Sequence, residues 1–501
     1  MVTSAEYSVP REARALFEEG ILNNPLMSTL PTELKPLSKH VTFTGTEKPS
    51  IPINWRFAES ISALKAFEAT MLNHLLTRKY GIQPVDIAIN IDHASLFFMS
   101  PVVAQYIKDG TPVPLDPFSP DMLKLIPSQD KHRSQDNLHR VLATNIYKTE
   151  DARFYHIHDG EEGDTYDAVV ERIQNAVLEH EAAPLDDLMN EKYRQAGTIA
   201  YTSAEYFDSD HGKASGKVGL YEIAKDVASS QPAAWWEDND SLLASPKRPL
   251  AGLKVVDLTR VIAGPAISRS LAEMGASVMR VVSPHVTDLS PVFQDLNWGK
   301  WNAFLHLKID GYRPGVMDRL GFGRQAIFDL VKDRPAGIIH CCGVSRAYAD
   351  AMGVEGAVTP VFPNSDYCTG ICGSSAVLEA LVALNYYSQW LVRSCGAYPQ
   401  EIWDELWTRH GSPTFQYYHA MQHLLPAMMK MLYQYDAKTL FQADFFEPRV
   451  SKALNTTFIQ VKPIAQFPNK EVELGYNIGT RGNGVDQPVW PKNLTVEIVT
   501  G

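Results

Sequence analysis

The sequence predicts an α/β protein whose second half is built on a parallel sheet. Two observations carry that expectation. Residues 253–282 run strand, turn, helix, strand, and a strand that returns to its own sheet through a helix must lie parallel. The first half reads as mostly helical, with isolated short strand patterns.

Leu253 to Leu258 (LKVVDL) is a short apolar run rich in β-branched residues, the pattern of a buried strand. The turn TRVIAGP follows, then AISRSLAEMGA with helical spacing, then SVMRVV as a second strand. This βαβ unit makes the sheet of the second half Rossmann-like. In the first half, FAESISALKAFEATMLNHLLTR (57–78) has apolar residues three and four apart, and Gly81 stops the helix. VDIAINI reads as a strand, and the amphipathic stretch 166–195 is broken at Pro184.

The mixed Pro, Ser and acidic segment 228–250 marks a boundary. It separates a 1–247 half, containing a small α+β domain, from a 248–501 half. IAIN at 87–90 and VALN at 382–385 each follow a helical run, so the first half reads as a duplicated or permuted companion of the second. At 308/309, 340/341 and 381/382 the patterns change with no turn residues between them, and loops are expected to be missing at these joins.

A chain of 501 residues is too long for one ordinary core. Hydrophobic residues at 45% and charged residues at 21% are the balance of a globular protein. A formal net charge of -12, spread along the chain, argues against nucleic acid as a partner. All five cysteines (341, 342, 368, 372, 395) lie in the second half without paired zinc spacing and read as buried free thiols in a reducing compartment. The N-terminus has no signal-like apolar core, and no run approaches the ~18 apolar residues of a membrane span, so a soluble intracellular protein is expected.

Four segments carry chemistry in order: LKVVDLTRVIAGP (253–265), GASVMRV (275–281), GYRPGVMDRLGF (311–322) and NSDYCTG (364–370). Together they resemble the family III CoA-transferases, also called the CaiB/BaiF family, which includes formyl-CoA and carnitine-CoA transferases. The resemblance implies that Asp366 is the catalytic carboxylate. It implies that Arg260, Val261, Ile262 and Ala263 line a CoA cleft, and that Tyr312, Pro314, Gly315, Arg319 and Leu320 hold the adenine and pantetheine. A turn that opens a helix also suits anionic phosphate, because unpaired N–H groups and the helix dipole face the ligand.

By the same resemblance, acyl-CoA and an acceptor acid are the substrates, no metal is needed, and the fold interlocks within a chain or in a homodimer. Asp366, at the start of a helix, would be ionised at neutral pH and attack the acyl-CoA to form an aspartyl-acyl anhydride. Ser365, Thr369, Gly370 and Gly373 would leave room for the thioester. Its structural alternative is a helix N-cap.

The sequence departs from the family in places. No glycine-rich shielding loop is visible, and Ser283 and Pro284 stand where an acid is expected. In the first half, INWRFAESIS offers Glu59 where the catalytic Asp would fall, so that half reads as catalytically silent. RQAGTIAYTSAEYFDSDHG resembles the family's small-domain segment with its Thr-x-x-Glu helix start.

Two rivals remain. An α-methylacyl-CoA racemase-like enzyme needs two bases; Asp366 is one, and His340 is the nearest upstream histidine, in surroundings unlike the racemase motif. A non-catalytic paralogue is the other. His156 and His158 alternate on a strand without a third metal ligand, Asp92 and His93 point to opposite faces of a strand, and NYYSQWL (385–391) reads as core.

Overall fold

The structure is a computed structural model and describes residues 7–131, 137–157, 165–193, 195, 197–221, 235–305, 342–379 and 385–500. It is a mixed α/β fold with both parallel and antiparallel sheets. The three joins at 308/309, 340/341 and 381/382 lie outside the described residues, as does part of the 228–250 boundary.

After an opening helix (Val9–Ala15) and short helical segments, the first half runs through β1 (Val41–Thr44), the helix α1 (Phe57–Tyr80), β2 (Ile87–Asn90) and the short helix α2 (Ile91–Ser95). β1 and β2 pair in parallel, Val41 opposite Ile87. Gly81 closes α1 in the left-handed conformation at φ 65°, the geometry that favours glycine after a helix. Asp92 and His93 fall on α2 rather than on a strand, because the Asn90 side chain accepts from the His93 N–H and starts a helix there.

Next come β3 (Gln105–Lys108), β4 (Thr111–Pro114), β5 (Asn145–Lys148) and β6 (Phe154–Ile157). They are followed by α3 (Tyr166–Val177), α4 (Ala182–Asp187), β7 (Thr198–Ile199) and α5 (Ser203–Asp208). β5, β6 and β7 form an antiparallel sheet. Pro184 does not break the helix. The chain leaves helix after Val177 and resumes at Ala182, with Pro184 in the first turn where an amide N–H has no intrahelical partner. Thr202 and Glu205 make a reciprocal capping box, in keeping with the Thr-x-x-Glu spacing.

In the second half β8 (Lys254–Asp257), α6 (Ala263–Glu273), β9 (Ser277–Val282) and β10 (Lys300–Phe304) build a parallel sheet in the order β10-β9-β8. Val255 faces Val278, and Trp301 faces Met279. β8 is an edge among the described strands rather than a buried strand, and Val256 is 56% exposed.

α7 (Asn364–Glu379) and α8 (Asn385–Trp390) follow, then β11 (Phe446–Ser451) and β12 (Thr456–Val461). β12 pairs antiparallel with β3, so one four-stranded sheet takes strands from both sides of residue 247. One core also joins the halves, since Phe57, Leu64 and Phe67 share it with Tyr367, Ile371 and Trp403. Within this chain, then, the halves pack extensively.

α6 lies against α7. A Cβ on Gly370 would stand 2.5 Å from the Ala266 Cβ, and one on Gly373 would strike the Ile267 side chain. These glycines admit a neighbouring helix rather than a thioester. Gly370→Ala is therefore expected to destabilise the protein by about 1–3 kcal/mol, as overpacking does, and thermal unfolding checks it.

No described helix is long and apolar enough to cross a membrane. The described cysteines Cys342, Cys368, Cys372 and Cys395 are buried thiols that form no disulfide among the described residues.

Candidate active site

The turn after β8 is pinned from beneath by buried charge. Asp257 ends the strand, and its Oδ1 accepts from the Thr259 N–H at 2.9 Å and Thr259 Oγ1 at 2.5 Å. Its Oδ2 accepts from Ser268 Oγ at 2.5 Å and Lys300 Nζ at 3.1 Å. Lys300 Nζ also donates to the Pro265 carbonyl at 2.7 Å, inside the first turn of α6. Burial alone would raise Asp257, but Lys300, Arg280 and the two hydroxyls outweigh it and bring its pKa down to about 2. Burial lowers Lys300 to about 8, against the pull of Asp257. Arg280 donates to Asp288 at 2.7 Å and to the Thr259 carbonyl at 3.4 Å.

Above this network the backbone is strained. Val261 has φ 63°, a left-handed conformation that a β-branched residue rarely adopts. Ile262 caps α6 without a side-chain hydrogen bond, leaving the Ala263 and Gly264 N–H groups for another acceptor. Gly264 is required, since a Cβ there would lie 2.6 Å from the Thr259 Cβ. Arg260 is half-buried, and no described residue pairs with its guanidinium. Val261→Gly should relieve the strain and raise stability by about 1 kcal/mol, while a less ordered turn weakens CoA binding; calorimetry of both would test this.

Asp366 occupies the third position of α7, inside the first turn rather than at the N-cap. No described side chain hydrogen-bonds its carboxylate. Burial pushes its pKa up to about 7, opposed by its own backbone N–H. At neutral pH it is thus only partly ionised, not fully as the helix start alone suggested. Its titratable neighbour is Cys368 on the same helix, whose thiol burial also pushes up. The preceding residues are tied to α8: Asn364 Nδ2 donates to Tyr387 Oη at 2.7 Å, and the Ser365 and Ser388 hydroxyls lie 3.1 Å apart. Gln389, the next residue of α8, is buried with neither carboxamide atom hydrogen-bonded to a described residue. That unmet capacity was hidden in a segment read only as core.

Tyr312, Pro314, Gly315, Arg319, Leu320 and His340 lie outside the described residues, as do Cys341 and His158. His156 is buried on β6. Glu59 holds the same third helical position on α1 that Asp366 holds on α7. It is sealed: Tyr7 Oη donates to one oxygen at 2.6 Å and Tyr398 Oη to the other at 3.1 Å, and burial raises its pKa.

The family model for CoA-transferase family III matches residues 250–311, the strand–turn–helix–strand unit with its pinned turn. The acetyl-coenzyme A transferase nodX of Hypoxylon pulicicidum is 52% identical over 570 aligned positions, which cover 100% of this chain and 96% of that protein. The chain belongs to CoA-transferase family III.

The alignment with nodX is longer than the chain's 501 residues, so nodX carries residues that this family III chain lacks. An acyl-CoA transferase of Gibberella moniliformis is 29% identical, over 68% of this chain and 65% of that protein. The acetyl-CoA:oxalate CoA-transferase of Acetobacter aceti is 34% identical over 27% of this chain and 39% of its own length. As a member of the family, the chain is a CoA-transferase.

Proposed function

We propose that the chain moves CoA from acetyl-CoA to an acceptor carboxylic acid, with Asp366 as nucleophile and the 258–264 turn as the CoA seat. The observation that carries this is a lone carboxylate in the first turn of α7, packed against the helix that the uncapped turn opens. The close approaches advance the same way along both helices, Ala266 to Gly370 and then Ile267 to Gly373. Ala263 and Asp366 each lie about one turn N-terminal of that crossing, which supports a shared end for turn and carboxylate.

Asp366 attacks the acetyl carbonyl and expels CoA thiolate, giving an aspartyl-acetyl anhydride. The thiolate attacks the aspartyl carbonyl and releases acetate, leaving an aspartyl-CoA thioester. The acceptor carboxylate displaces the thiolate to form a second anhydride. The thiolate then takes the acceptor's acyl group and frees Asp366. Each step exchanges one acyl bond for another, so no oxidant or metal enters.

The CoA seat would comprise Arg260, Val261, Ile262 and Ala263 from the turn, with Tyr312, Pro314, Gly315, Arg319 and Leu320 on the adenine and pantetheine. The second half is read as Rossmann-like, and the sealed Glu59 supports a silent first half in the division 1–247 and 248–501. Four buried thiols outside any disulfide among the described residues support a reducing, intracellular location.

An attacking carboxylate must be ionised, and the Asp366 pKa is raised to about 7. The logarithm of kcat/KM with acetyl-CoA should therefore climb with pH below about 7 and level above it. A rate that is flat from pH 5 to 8 would contradict a nucleophile in this environment.

A further inference from the structure

The α7 helix is held by buried charge at two levels. Tyr367, the residue after the carboxylate, is buried with its ring edge-on to Phe97, centroids 5.5 Å apart. Its Oη donates to Asp295 Oδ2 at 2.5 Å. Arg269 Nη1 donates to the same oxygen at 2.5 Å and to Ser100 Oγ at 3.3 Å. Arg269 Nε donates to Tyr476 Oη at 3.1 Å, and its guanidinium lies 5.2 Å from the Phe97 centroid. Further along α7, Ser374 Oγ donates to Glu68, which also takes Lys65 Nζ at 2.7 Å.

Arg269, Asp295, Tyr367, Ser100 and Phe97 are all almost fully buried. A buried ion pair is a poor way to gain stability, because desolvation offsets the attraction; an apolar residue at 367 would pack the helix as well. What the pair does supply is a fixed address, since each donor can satisfy the shared carboxylate oxygen from only one direction. That address is one residue from Asp366.

We propose that Arg269, Asp295 and Tyr367 are positioning residues that hold the first turn of α7 so that the Asp366 carboxylate keeps one orientation toward the bound thioester. The proposal rests on reading Asp366 as the nucleophile. It also gives the first half a part in catalysis, since Phe97 and Ser100 complete the clamp although the carboxylate of that half is sealed.

The test uses the full chain with Tyr367→Phe, which keeps the ring and removes the donor. The kcat with acetyl-CoA should fall about 10- to 100-fold, as a small misplacement of a reacting group does, with KM changed less than about threefold. The midpoint of the kcat/KM pH profile should also move below about 7, because a loosened carboxylate gains water. Ser374→Ala, on the same helix, should lower the unfolding temperature and leave that midpoint in place. Wild-type kcat and pH midpoint in Tyr367→Phe, or the same midpoint shift in both variants, would overturn the clamp. If Tyr367→Phe does not fold, Ser100→Ala takes its place, with a severalfold loss and the same direction of shift expected; an unchanged profile overturns the proposal.

Hydroxylamine trapping in the wild-type enzyme separates the two readings. A trapped acid other than Asp366 removes the nucleophile and the clamp with it. A trapped Asp366 beside an unperturbed Tyr367→Phe removes the clamp alone.

Discussion

Asp366→Asn is expected to abolish turnover, lowering kcat by a factor on the order of ten thousand, because an amide cannot form the anhydride. Affinity for CoA should persist, since no group of the proposed seat is altered. Stability should change in a way that identifies the environment. The folded pKa of Asp366 is raised to about 7. Its contribution is therefore fully present below the ordinary carboxylate pKa near 4 and is lost as pH rises through about 7. Asparagine stays neutral throughout. The substitution should raise stability, by on the order of 2 kcal/mol more at pH 9 than at pH 5. Parallel thermal melts of wild type and variant at the two pH values measure the difference.

The second large effect belongs to the network under the turn. Lys300→Met removes the charge that, with Arg280, holds Asp257 ionised inside the protein. Breaking one side of a buried pair costs about 3–5 kcal/mol. Ser268 and Thr259 still donate to Asp257, so a value near the lower end is expected. Thermal unfolding should report the loss, and CoA binding should weaken with it, since Lys300 also holds the Pro265 carbonyl at the start of α6. Unchanged unfolding in Lys300→Met would show that the pair contributes nothing net.

Local features were legible in the sequence where neighbours along the chain decide them. The strand Ser277–Val282 is the SVMRVV run residue for residue, and Gly81 stops α1 as its freedom at positive φ suggests. The acid at the head of α7 stood out because NSDYCTG resembles the family's nucleophile segment, and it does lie in the first turn of a helix. Misreadings arose where a cap or a distant partner decides. Asn90 turned an apparent strand at Asp92 and His93 into a helix. The pairing of β3 with β12 joins residues more than 340 positions apart, and no local pattern announces it. Gly370 and Gly373 belong to a helix crossing that only the fold creates. Lys300 opens the buried strand KWNAF, and a charge in so buried a setting signals a partner elsewhere in the chain. The Arg269–Asp295–Tyr367 clamp spans three separate segments and had no sequence signal.

The most direct test is peptide mapping of the wild-type enzyme after incubation with acetyl-CoA and quenching with hydroxylamine. Hydroxylamine attacks an aspartyl anhydride or aspartyl-CoA thioester and leaves an aspartyl hydroxamate in place of the carboxylate. The hydroxamate is expected on the peptide containing Asn364, Ser365 and Asp366, at Asp366, and only when acetyl-CoA is present. A hydroxamate on another acid, or none in enzyme that is turning over, would contradict covalent catalysis at Asp366.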